Sequence, residues 1–169
     1  MKKFVLISVL LSACYFSGNA QKLKYGYING VAVFNEIPDV KKADTLLKTF
    51  TAQFEDQIKK MSDEYDKKVK AYKENQTYTD DLIKKTQADE INDLSNKIQK
   101  FQVSAQDAVN KKRDELYQPI IAKFQNTLKK VAKDNGLRFI LDSGKGLLLY
   151  SDEADDVTKL VEKELGITK

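Results

Sequence analysis

Three observations predict an α+β protein that is mostly α, with a small β-body carrying one long antiparallel helical hairpin. First, Leu47, Phe50, Phe54, Ile58, Met61, Tyr65, Val69 and Tyr72 follow one another at intervals of 3, 4, 4, 3, 4, 4 and 3, and nearly everything between them is charged or polar. That is one narrow apolar stripe on a long helix, too thin to bury in an ordinary globular core. Second, the charged segment that follows repeats the pattern, and breaking signals at residues 74–81 (ENQTYTDD) separate the two. Third, short β-type runs sit near the two ends of the chain, at residues 25–29, 137–141 and 147–150.

Residues 1–20 read as a secretory signal. Lys2 and Lys3 form its charged end, Phe4 to Phe16 its apolar stretch, and Gly18-Asn19-Ala20 its small-residue cleavage site. The stretch is too short to span a bilayer, which takes ~20 apolar residues. A lipobox at Leu11-Ser12-Ala13-Cys14 is the alternative, with Cys14 acylated as the mature N-terminus. Cleavage after Ala20 leaves an exported chain with no cysteine and therefore no disulfide framework. Lys2 and Lys3 leave with the signal, so 27 basic residues face 25 acidic ones, a net charge of +2. Charges of both signs are interspersed, as on a solvated surface, and no strongly anionic partner is demanded.

Residues 21–39 open the body with the β-run at 25–29, then a brief apolar helical turn at 31–37. Pro38 suits the first turn of the next helix. Residues 40–115 form the arm, and its stripe hides an eleven-residue repeat. Leu47, Ile58 and Val69 are eleven apart, as are Phe50, Met61 and Tyr72. The return segment keeps the period in Ile98, Val109, Ile120 and Val131, and in Ile83, Leu94, Ala105 and Leu116. Eleven residues in three turns is ~3.67 per turn, close to a relaxed helix. The turn falls near residues 74–81, where Asn75, Thr77, Thr79 and Asp80 suit a loop and a new N-cap. The arm seam is thus Leu47, Phe50, Phe54, Ile58, Met61, Tyr65 and Val69 against Leu94, Ile98 and Val109.

The return helix outruns its partner and rejoins the body, residues 116–169. Pro119 falls near that point, where it removes a backbone hydrogen bond and kinks the helix. Residues 116–131 are richer in large apolar side chains than the arm and must enter a core. Asn135-Gly136 ends the helix. The strands at 137–141 and 147–150 are joined by Asp142-Ser143-Gly144-Lys145-Gly146 as a hairpin. A last amphipathic helix places Val157, Leu160, Val161 and Leu165 on one side.

Catalytic and cofactor chemistry find little support. With no histidine, Ser-His-Asp triads, Cys-His pairs and His-rich metal sites are excluded. Ser143-Gly144-Lys145-Gly146 lacks the G-x-x-x-x-G-K-[ST] frame of a phosphate loop and joins two strands. The acids at 152–156 lack the alternating pattern of a calcium loop and suit helix capping. Phe50, Phe54, Tyr65, Tyr72 and Phe101 are seam residues by spacing. No enzyme, metal or cofactor site is expected.

In order along the chain, KYGYIN, a charged helical hairpin, KVAKDNGLRFILD, GLLLY and DDVTKLVEKEL resemble the Skp/OmpH family of periplasmic chaperones. The resemblance covers essentially the whole mature chain and rests on the order and spacing of these pieces. It implies a homotrimer in which a β-body built from all three subunits carries three helical hairpins around a cavity. Members hold unfolded outer-membrane β-barrel proteins there, without ATP. Candidates for the core of the body and its trimer contacts are Tyr27, Ile28, Val33, Phe34, Ile120, Phe124, Phe139, Ile140, Leu141, Leu148, Tyr150 and Val157. The better-known members are strongly basic, whereas this chain is nearly neutral, which counts against lipopolysaccharide or anionic-lipid binding. Nucleic acid is likewise not expected as a partner.

The physical reading agrees with that implication. Ordering each residue costs ~1–2 kcal/mol of backbone entropy, while a fully buried Leu-class side chain returns ~1.5–3 kcal/mol. An arm that buries one residue in four should be soft, and three short strands make a poor sheet until assembly completes it. A coiled-coil spacer of the cell envelope with no client activity would carry the same seam.

Overall fold

A computed structural model of the protein describes residues 24–75, 80–144, 146 and 148–167. The segment read as a signal with Cys14, part of the turn expected at 74–81 (residues 76–79), and Lys145 and Leu147 lie outside the described residues. The elements run β1 (Tyr25–Ile28), α1 (Gly30–Glu36), α2 (Pro38–Asn75), α3 (Asp81–Asp134), β2 (Phe139–Asp142), a 3-10 turn (Glu153–Asp155) and α4 (Thr158–Leu165). The protein is α+β and mostly α: a small sheet with short helices, and two long helices forming an antiparallel hairpin.

Local chemistry sets the boundaries. The Asn29 side chain accepts from the Ala32 amide at 3.0 Å and starts α1. Ile37 precedes a proline and is pushed out of the helical region, so α1 stops and α2 begins on Pro38 with Asp39 in its first turn. Asp80 starts α3 by accepting from the Leu82 amide at 2.8 Å. Gly136, with φ at +66°, lets α3 close on itself. Its amide donates to the Lys133 carbonyl while the Leu137 amide donates to that of Ala132. Only a residue without a β-carbon takes that left-handed turn at little cost.

β1 and β2 pair in parallel, Tyr25 beside Phe139 through Ile28 beside Asp142. Amides of Arg138 and Ser143 extend the ladder to the carbonyls of Lys24 and Ile28, and the Val157 amide reaches the Tyr27 carbonyl on the other edge of β1. Among the described residues, the antiparallel partner expected for β2 is not formed. Residues 148–150 hold no strand, and Leu149 and Tyr150 are 97% and 85% exposed. The reason lies at Asp142. Its Oδ1 accepts from the amides of Gly30 at 3.2 Å and Gly144 at 3.0 Å, which ties the chain leaving β2 to the end of β1 instead of folding it back along β2's free edge.

The core gathers Ile28, Val33, Ile37, Val40 and Ala43 with Ile120 and Val131 of α3 and Val157, Val161 and Leu165 around α4. Phe34 and Phe124 meet edge to face with centroids 5.6 Å apart. Leu160, expected on the inner side of the last helix, is exposed, because the buried line is the single i, i+4 row Val157, Val161, Leu165.

Along the hairpin, Phe54 meets Phe101 and Lys68 meets Glu90 across the two helices. Nearer the body, the Tyr117 hydroxyl donates to Asp44, which raises the Tyr117 pKa, and Lys123 pairs with Asp39 at 3.2 Å. α2 has 38 residues and α3 has 54, or ~57 Å against ~81 Å at ~1.5 Å per residue. Pro119 lies inside α3, which is helical on both sides of it. It borders a cleft of about 330 Å³ lined on α2 by Asp39, Lys42, Ala43 and Leu46.

Two outcomes are expected. Gly26→Ala places its new β-carbon 2.7 Å from Val157 Cγ1 and 3.1 Å from Leu137 Cδ1, so the body should lose about 1–3 kcal/mol in denaturant unfolding; an unchanged midpoint would contradict this packing. Pro119→Ala restores a helical N–H and removes a ring clash, so thermal unfolding should shift upward by about 1–3 kcal/mol. A lowered melting temperature would mean that the proline fits its site better than the helix it interrupts.

Candidate functional site in the helical arm and sheet edge

Residues that stand on α2 at intervals of three and four meet α3 along one line. Leu47, Phe50, Phe54, Ile58, Met61, Tyr65, Val69 and Tyr72 are all half-buried, and none is fully enclosed. Across from them Leu94, Ala105 and Val109 are buried and Ile98 is half-buried. Phe50 and Phe54 meet edge to face at 5.1 Å, and Phe54 lies 6.0 Å from Phe101. Two helices sharing one such line keep most of their surface in water.

Towards the tip the seam turns polar. Ile83, placed in the eleven-residue series, is 51% exposed. Gln87 takes the next inward position, and its Oε1 is enclosed without a hydrogen-bond partner among the described residues. Beside it Lys68 Nζ contacts Glu90 Oε2 at 2.7 Å. The contact raises the lysine pKa and lowers that of the glutamate, chiefly through the hydrogen bond. Both side chains are solvated, where such pairs contribute little to stability.

At the other end of the molecule, the sheet edge is open. Phe139 and Leu141 alternate outward on β2 at 57% and 42% exposure, with Ile140 and Asp142 turned partly inward. No strand pairs with β2 on its outer side among the described residues. Of the candidate body residues, Ile28, Val33, Ile120 and Val157 are buried, and Phe34, Phe124 and Ile140 pack against them. Tyr27 and Leu148 are half-buried, while Phe139, Leu141 and Tyr150 face solvent in the single chain.

Sequence reasoning set Val161 on the inner side of the last helix but named neither it nor Ile37, the two largest fully buried side chains, among the body candidates, and it missed the Asp142 knot. Asn29-Gly30, an N-cap followed by a residue without a β-carbon, was the available signal for that knot. The acids at 152–156 act as caps: Asp152 accepts from the Ala154 amide and Asp156 from that of Thr158. Among the described residues no group of acids or thiols is placed to hold a metal ion. No helix there is long and apolar enough to cross a membrane.

Comparison with known proteins gives a consistent picture. The family described as "Outer membrane protein (OmpH-like)" matches residues 24–165. An uncharacterized protein of Aquifex aeolicus (strain VF5) is 28% identical over 167 residues, covering 98% of this chain and 96% of its own length. A crystal structure from Caulobacter crescentus CB15, described as a candidate OmpH-like outer membrane chaperone, superposes with a TM-score of 0.71. It covers 89% of each chain at 18% identity, a likeness that concerns the fold. With nearly the whole described chain inside the family match, the protein belongs to the OmpH-like family.

Proposed function

We propose that the protein is an ATP-independent holdase of the periplasm, which assembles as a homotrimer and holds unfolded outer-membrane β-barrel proteins between its helical arms. One observation carries the reading: a hairpin of two long helices closed by a half-buried seam extends from a small body whose sheet edge is unpaired. A binder of many unrelated chains needs reach, solvated surface and low rigidity, and this arm supplies all three. The OmpH-like family membership and the description of the Caulobacter relative support a chaperone role.

The assembly follows from the edge. An unpaired strand with outward phenylalanine and leucine invites pairing with another chain, and a small body gains the core that it lacks by oligomerising. Residues 21–39 and 116–169 form the assembling body in this reading, and residues 40–115 the arm. Export by the N-terminal signal, cleaved after Ala20, brings the chain to the periplasm; acylation at Cys14 is the alternative anchor. Holding and release then use many weak contacts and the client's own folding, with no catalytic step and no cofactor. An envelope spacer with the same seam is the second reading, favoured by the mixed charge of the arm, and it predicts no protection of unfolded chains.

Two measurements test this. Phe139→Asp with Leu141→Asp, both exposed in one chain, should leave a folded species that sediments as a monomer; a wild-type protein that is itself a folded, monodisperse monomer would refute the trimer. Replacing residues 58–98 by a short Gly-containing turn should preserve the body and its assembly but abolish suppression of light scattering from a urea-unfolded β-barrel protein on dilution. Equal protection by the shortened and intact proteins would remove the arms from the function.

A further inference from the structure

On α3, Asn92, Ser95, Gln99, Gln102, Gln106 and Asn110 recur at intervals of 3, 4, 3, 4 and 4, which places them in one row beside the seam. Ala88 precedes the row and Val103 lies at its margin, 65% exposed. Lys84 and Lys85 stand before this row and Arg113 after it, so the row itself, extended by Ala88 to ~22 residues or ~33 Å of helix, carries no charge. Charged residues are 32% of the chain and crowd the other exposed faces of both helices, so an uncharged row of this length needs a reason. Every member but Ser95 is exposed, and Ser95 is half-buried. The one side-chain contact within the row is Gln106 Nε2 donating to Asn110 Oδ1 at 3.1 Å; Arg113 donates to the same oxygen from the row's end.

The chemistry of the row narrows its occupant. A partner helix would require apolar side chains at these positions. A phosphate polymer or lipid headgroup would require cations. Each Asn or Gln instead offers both a carbonyl acceptor and an NH₂ donor, the same pair of groups as a peptide unit. We propose that this row is the surface on which the arm holds the exposed backbone of an extended, unfolded polypeptide. The inference rests on the holdase reading and deepens it. Amide side chains meet peptide groups of any sequence, and a row without charge neither selects nor repels acidic and basic clients. Such contacts are weak one by one and numerous along ~33 Å, which permits retention without a fixed bound structure.

The test compares three versions of the full chain binding a fluorescently labelled, urea-unfolded β-barrel protein after dilution. One is wild type, one is Gln99→Ala/Gln102→Ala/Gln106→Ala, and one is Lys60→Ala/Lys67→Ala/Lys70→Ala on α2. Alanine is the best helix former, so neither variant should lose the arm, and circular dichroism checks that it has not. Loss of three amides should weaken binding about tenfold, equally at low and high salt, while the lysine variant should stay within about twofold, since exposed charges are screened. Glutamine and lysine variants that both bind like wild type would overturn the proposal and leave the holdase reading standing. Wild type that binds no unfolded chain would overturn both. A glutamine variant that sediments as a smaller assembly would show that the row faces another copy of this chain, which also overturns the proposal.

Discussion

The parallel pairing of β1 with β2 is the constraint from which the rest of the molecule follows. Tyr25 lies beside Phe139, so everything between the strands must leave the sheet and return to the same end of it. Two helices of equal length would bring the chain back only to the start of α2. The extra length of α3, 54 residues against 38, carries the chain past that point, with Val131 in the core, until the turn at Gly136 delivers β2 alongside β1. The unequal helices and the parallel sheet are therefore one feature seen twice.

Energetics divide along the same line. At the root of the hairpin and just beyond it, α3 contributes Ile120 and Val131 to a core shared with α1, α2 and α4, and the interior there is closed on several sides. Where it runs beside α2 alone, even the aromatic residues Phe50, Phe54 and Tyr65 stay half-exposed. Local stability tracks buried apolar contact, so the body should open last and the arm tip first. The polar layer of Gln87, Lys68 and Glu90 lies within that least stable part.

Much of this was legible in the residues because it depends on local periodicity. The 3-and-4 spacing from Leu47 to Tyr72, Pro38 at a helix start and Asn135-Gly136 at a helix end each encode their structure within a few positions. The eleven-residue series also located Val109 and Val131 correctly as inward. What escaped was non-local. Residues 147–150 read as a strand because β-propensity describes a half-buried pleated surface and cannot state which edge will be available. The edge of β2 was left open because Asp142 holds the amides of Gly30 and Gly144, a contact spanning more than a hundred residues. Ile83 and Leu160 fit their helical patterns and are nevertheless exposed. The amide row on α3 escaped for another reason: a search for apolar and charged patterns passes over residues that are neither.

The repeat that made the arm readable also creates an ambiguity that the body resolves. In a seam with an eleven-residue period, sliding α3 along α2 by one repeat sets Leu94 and Ala105 against apolar residues much as before. The arm alone distinguishes the two alignments weakly, through Phe54 against Phe101 and the pair Lys68–Glu90. One repeat is ~16 Å of helix, however, and such a slide would carry β2 clear of β1 and draw Tyr117 away from Asp44. The four-residue strands thus hold the register of a hairpin more than ten times their length. A buried polar residue does this in many coiled coils at some cost in stability; here a sheet outside the coil does most of it, and the seam is left free to be thin.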